Sequence, residues 1–151
     1  MTITIELPDT NEQRLILLRD GVERGCKALL NNLNAPHYGS VPDFDAAIYG
    51  EKHLLRENEG WQAPAPELIR AWFGQFQTVF TEYDSEDKLA ALFGLHGKQG
   101  GRRIRAFKSG EMPIPYGIWR HFLVLTGRAS QEIIPVLGIL GSVPAEGEMT
   151  P

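Results

Sequence analysis

Polar and apolar residues alternate from Thr2 to Leu7, with Ile3, Ile5 and Leu7 on one side. A period of two predicts a short β-strand, ended by Pro8-Asp9. No second strand is evident, so this one either pairs with its counterpart in a dimer or lies extended along helices. The period then changes. Leu15, Leu18, Val22, Cys26, Leu29 and Leu33 recur at helical spacing, which predicts one long helix with a continuous apolar stripe. Thr10 and Gln13 have the spacing of a capping box at its start, and Asn34-Ala35-Pro36 ends it. The stripe reads as core, with a homodimer seam as the sharper alternative. Gly21 and Gly25 would let another helix approach closely.

Pro42-Asp43-Phe44 predicts the start of a second helix, with Phe44, Ala47, Ile48, Leu54 and Leu55 turned inward. Charge, glycine and proline in "ENEGWQAPAP", residues 57 to 66, mark a break between two halves. Beyond it the apolar spacing predicts a run of short helices. Pro66-Glu67 opens the first, with Leu68, Trp72, Phe76 and Phe80 as its stripe. Ser85 or Asp84 caps the next, which turns Leu89, Leu92 and Phe93 inward. A tight turn at Gly94-Leu95-His96-Gly97 leads to a helix from Gly100 or Gly101 to Phe107, closed by Lys108-Ser109-Gly110. Ile114 to Thr126 forms another helix around Trp119, and Ser130 caps a short last one before a Gly-, Pro- and Glu-containing tail. The expected organisation is mainly α: a strand-and-helix module at 1–60, a helical domain at 61–128, and a short helix with tail at 129–151.

Composition supports a globular chain, since 42% of the 151 residues are hydrophobic and 23% charged. No apolar run reaches the ~20 residues that span a bilayer. The first residues lack the basic and apolar regions of a secretory signal. Cys26 is the sole cysteine, which excludes an intramolecular disulfide and a four-cysteine zinc site, so a cytoplasmic location is expected.

Charge changes the picture. The net charge is −4, yet Gly94 to Arg128 holds Lys98, Arg102, Arg103, Arg105, Lys108, Arg120 and Arg128 against Glu111 alone. That segment carries +6 and the remainder therefore −10. A polyanion responds to the local field of one face rather than to the total. A helix, a glycine-containing turn and a second short basic helix form a helix-turn-helix pattern, whose second helix enters the major groove. With Ile104 and Phe107 inward, Arg102, Arg105 and Ala106 fall on the outer side and Arg103 on the flank.

Residues 88 to 127 resemble the helix-turn-helix of phage-repressor-like (lambda-repressor-like) DNA-binding domains of phage and plasmid type. The resemblance rests on Phe107, Ser109-Gly110-Glu111, Ile114-Pro115 and Trp119. It covers about 66 to 127 and leaves 1 to 60 outside. Such domains usually carry Trp where Phe107 stands and often a base at the place of Ala106. The turn here has extra residues, Gly97-Lys98-Gln99-Gly100. The resemblance implies a sequence-specific binder of double-stranded DNA, a homodimeric transcriptional regulator or repressor from a mobile element. It places Arg102 and Arg105 on the recognition helix. Lys98 and Gln99, in the enlarged turn, are assigned supporting contacts by their own chemistry; Lys108 and Arg120 are assigned to phosphate, and for these two and Arg128 a plain surface base is the equal alternative. The alternative is an interaction or inhibitor protein on the same scaffold, whose acidic N-terminal module binds a protein partner.

Other chemistries fit poorly. A Walker loop ending at Gly97-Lys98 needs glycine at 92 and Ser or Thr at 99, where Leu92 and Gln99 stand. His37, His53, His96 and His121 have no ligand spacing, so no metal or other cofactor is expected. The pairs Asp43/Asp45 and Glu57/Glu59 sit in cap and linker contexts, Tyr83 and Tyr116 read as packing, and Cys26 lies on an apolar stripe. No enzyme is expected.

Overall fold

The computed structural model describes residues 7–37 and 39–135, and the expected strand at Thr2–Leu7 lies outside them except for Leu7. Among the described residues the protein is mainly helical, with no strand. The chain divides into two units, Met1–Ser40 and Val41–Pro151. No helix among the described residues is long and apolar enough to cross a membrane.

In the first unit one helix, α1, spans Thr10–Asn32. Asp9 rather than Thr10 is its N-cap. The Asp9 carboxylate accepts from the backbone N–H of Asn11 at 2.8 Å and of Glu12 at 2.9 Å, and Glu12 accepts from the Asp9 N–H at 3.2 Å. An aspartate one residue earlier closes the same reciprocal box with stronger, charged acceptors, which is why the cap shifts. The stripe predicted as core is not buried: no residue of α1 is, and Cys26 is an exposed thiol. Among the described residues the unit contains no second element to pack against it.

The second unit begins well ahead of the break expected at 57 to 66. Residues 46 to 59 form three 3-10 turns, Ala46–Tyr49, Lys52–Leu54 and Glu57–Glu59, in place of the predicted helix. Asp45 caps the first, accepting from the Ala47 N–H at 2.9 Å. Gly50 at φ +70 interrupts any continuous helix there. This strap belongs to the second unit because α5 (Tyr116–Leu125) binds its carbonyls: Trp119 Nε1 donates to His53 O at 3.1 Å, and Arg120 donates to Leu54 O at 3.3 Å.

Helix α2 (Pro66–Val79) carries proline in its first turn and Glu67 at its positive end, as predicted. Its inward face is broader than the expected stripe and centres on Leu68, Ile69 and Phe73; Phe80 is outside the helix and 40% exposed. Ser85 caps α3 (Glu86–Leu92), accepting from the Lys88 N–H at 3.3 Å. Helix α4 (Gly100–Ser109) follows the glycine turn and packs against α3 and α2. Gly110 at φ +81 ends it; there an added Cβ would lie 2.8 Å from Pro66 Cγ. The core joins Leu89, Ile104, Phe107, Ile114, Phe122 and Leu123 around a fully buried Trp119. Trp72 stacks on Trp119 at 5.6 Å, with their rings 7° from parallel. After α5 the chain is non-helical from Ser130 to Pro135, so the expected Ser130-capped helix is not formed within the described residues.

His53 is the buried polar side chain of this core, 5% exposed. Its ring meets Trp72 and Trp119 edge-on at 5.4 and 5.8 Å. Burial pushes its pKa below the ordinary 6.5, opposed in part by a backbone hydrogen bond at Gly50 and by Glu51.

Candidate nucleic-acid interface

The placement of α4 begins with two glycines. A Cβ on Gly100 would fall onto the carbonyl oxygen of Leu95, and one on Gly101 onto the carboxylate of Asp87. Only residues without a side chain let the first turn of α4 settle this tightly on α3 and the connecting turn. Ile104 and Phe107, both buried, then fix the rotation of the helix. At the far end Arg70 of α2 donates to the Lys108 carbonyl at 2.9 Å, placing a cation on the negative pole of α4. The helix is anchored at both ends.

This rotation sorts the basic residues. The side chains of Arg102, Arg103 and Arg105 are exposed, with no ion pair or side-chain hydrogen bond among the described residues, and Lys98 in the turn is exposed too. Gln99 is the N-cap of α4, yet its side chain makes no capping bond and stays exposed. Ala106 is 7% exposed rather than open on the outer side; by helical spacing it falls between Arg102 and Arg103, and it is buried without joining the core cluster of Ile104 and Phe107.

Three further bases, Lys108, Arg120 and Arg128, have partners within the fold. Lys108 Nζ donates to Gln77 Oε1 and to Glu86 Oε1, both at 2.7 Å, with its side chain only 16% exposed. It ties α4 to α2 and α3. Arg120 is 17% exposed and shares Glu132 with Arg56, at 3.3 and 2.7 Å respectively. Arg128 lays its guanidinium over the Trp72 ring at 4.4 Å, and partial burial lowers its pKa from the usual arginine value. The cause in each case is a partner distant in sequence, which local spacing could not reveal.

What remains is Lys98 and Gln99 on the turn, Arg102 and Arg105 on the outer side of α4, and Arg103 on its flank. Guanidinium groups without internal carboxylates are free to bind phosphate or the acceptor edge of guanine in a two-pronged manner. Sequence reading missed Arg70, Gln77 and Glu86, which hold the helix in place. Only Glu86 gave a local signal, as an acid in the first turn of α3. Among the described residues no cluster of three His, Cys, Asp or Glu side chains could hold a metal ion. Comparison with family models, with curated proteins and with solved structures gives no match.

Proposed function

We propose that this chain is a sequence-specific binder of double-stranded DNA, a cytoplasmic transcriptional regulator of mobile-element type. In this reading α3 and α4 act as a helix-turn-helix with an enlarged turn, and α4 is the recognition helix. Its ten residues make a rod about 15 Å long, and a helix diameter of about 10–12 Å matches the ~12 Å wide major groove. The observation that carries the reading is the sorting of charge on α4: three arginines outward and unpaired, while Lys108 is taken up internally. Arg102 and Arg105 read base edges. Arg103 and Lys98 hold phosphates on the flank, and Gln99 meets the backbone or an adenine edge beside the helix start. The acidic remainder of the chain limits non-specific attachment, so discrimination falls to this one face.

The test is selection of duplexes from a random-sequence pool by the intact chain, followed by titration of a selected and an unrelated duplex at two salt concentrations. Salt-sensitive binding with a clear preference for the selected duplex supports the reading. Absence of binding to either at low salt refutes it and favours an interaction or inhibitor protein on the same scaffold.

A further inference from the structure

We infer that the strap at 46 to 59 is an acid-released latch, in which protonation of the His53 ring frees the strap from α2 and α5 while α3 and α4 stay folded. The place where the strap is anchored carries this. Of residues 46 to 59 only His53 is buried. Its ring lies against the edges of Trp72 and Trp119, its carbonyl accepts from Trp119 Nε1, and its Nδ1 is buried with no hydrogen-bond partner. An imidazole suits such a seat only when neutral. The neutral ring leaves one nitrogen unpaired, whereas the imidazolium must donate from both and hold a charge away from water. The strap's other ties are weaker. Arg120 reaches Leu54 O at 3.3 Å, the Gln62 N–H reaches Lys52 O at 3.4 Å, and the Arg56–Glu132 pair is half exposed.

The surrounding groups do not supply a counter-charge strong enough to hold the imidazolium. On the strap, Glu51 favours the charged ring but is exposed, and Lys52 and Arg56 are cations. Helix α2 faces the ring with the uncharged Trp72. Helix α5 contributes Trp119 and the cation Arg120; beyond it Arg128 lies over Trp72, and Glu132 is shared by Arg56 and Arg120. Burial outweighs both Glu51 and the Gly50 backbone bond, so the closed ring binds a proton more weakly than an open one at the ordinary 6.5. The open fraction therefore grows as pH falls below 6.5, by up to about tenfold per unit, until the closed ring itself titrates. Opening stays local because α4 is tied to Arg70 and Gln77 of α2 and to Glu86 of α3, none of them on the strap. The strap is the chain that leads from the first unit into α2, so its release lengthens that connection.

The inference does not rest on the DNA reading and is measured without DNA. Native-state hydrogen exchange of the intact chain, corrected for the intrinsic rate at each pH, is followed at three strap reporters. These are the Leu54 and Leu55 N–H groups, bonded to Glu51 O and Lys52 O, and the Trp119 indole N–H; Ile104 and Phe107 of α4 are the reference. From about pH 7.5 to about pH 5.5, opening at the strap should rise about five- to tenfold. It should depend little on dilute urea, whereas the α4 amides should follow the steep urea dependence of global unfolding. His53→Gln, which does not titrate, should abolish the rise with acid. A second reading needs no variant: the His53 ring of the native chain, followed by NMR, should titrate below 6.5. Strap and α4 amides sharing one urea dependence would overturn the latch. So would a rise with acid that persists in a folded His53→Gln chain, or a native ring that titrates at 6.5 or above.

Discussion

Substituting Lys108 by methionine separates two roles that a lysine can have on a helix proposed to face DNA. In the sequence it stands among bases and invites a phosphate contact. In the fold its ammonium makes two 2.7 Å hydrogen bonds, to Gln77 and to Glu86, at 16% side-chain exposure. Methionine keeps most of the aliphatic length and removes the charge. Glu86 Oε1 then loses its partner, while Oε2 has none to begin with. Leaving a half-buried carboxylate unpaired costs about 2–3 kcal/mol, less than the ~3–5 kcal/mol of a fully buried pair. With a urea slope of ~1–3 kcal/mol/M, the unfolding midpoint should fall by about 1 M. Glu86→Gln added to Lys108→Met should recover part of the loss, because the stranded charge is gone. The salt dependence of DNA binding should be unchanged under conditions where the variant is folded. A variant as stable as the parent, with a salt slope flattened by about one, would show that Lys108 serves phosphate and that the internal clamp contributes nothing.

Further outcomes follow from other contacts. Gly100→Ala should destabilise the second unit by about 1–3 kcal/mol in urea titration, because its Cβ meets the Leu95 carbonyl; an unchanged midpoint would mean the turn yields freely. His53, buried and with its pKa lowered, binds a proton more weakly folded than unfolded. Its contribution to stability is therefore complete above the unfolded value near 6.5 and is lost as pH falls below it toward the folded pKa. His53→Phe should flatten the stability profile between about pH 7 and 5, whatever constant offset the substitution adds. An unaltered slope would place the acid sensitivity elsewhere.

The helices α2 to α5 were legible because their signals are local: Pro66 in a first turn, Ser85 as a cap, and Gly110 past an end. The rotation of α4 was legible from Ile104 and Phe107, which put Arg102 and Arg105 outward. Ala106, placed outward by the same reasoning, is buried between exposed Arg102 and Arg103, which spacing alone does not show. The strap at 46 to 59 escaped because bonds from Trp119 and Arg120, both 66 residues further along from their acceptors, hold it. An apolar run there looks helical until its tertiary acceptors are known. The internal partners of Lys108, Arg120 and Arg128 were hidden for a similar reason: a base in a basic stretch gives no local sign of a distant glutamate or tryptophan. The α1 stripe was correctly seen as apolar, but periodicity gives a face and not what covers it.

The central claim is that the unpaired arginines of α4 read a DNA sequence. Its most direct test compares the native chain with Arg102→Ala and Arg103→Ala on a selected and an unrelated duplex across a salt series. Arg102→Ala should erode the preference for the selected duplex by about 1–3 kcal/mol, whereas Arg103→Ala should weaken both duplexes alike and flatten the salt slope by about one. Equal losses on both duplexes for both variants, or no binding by the native chain at low salt, would contradict the account.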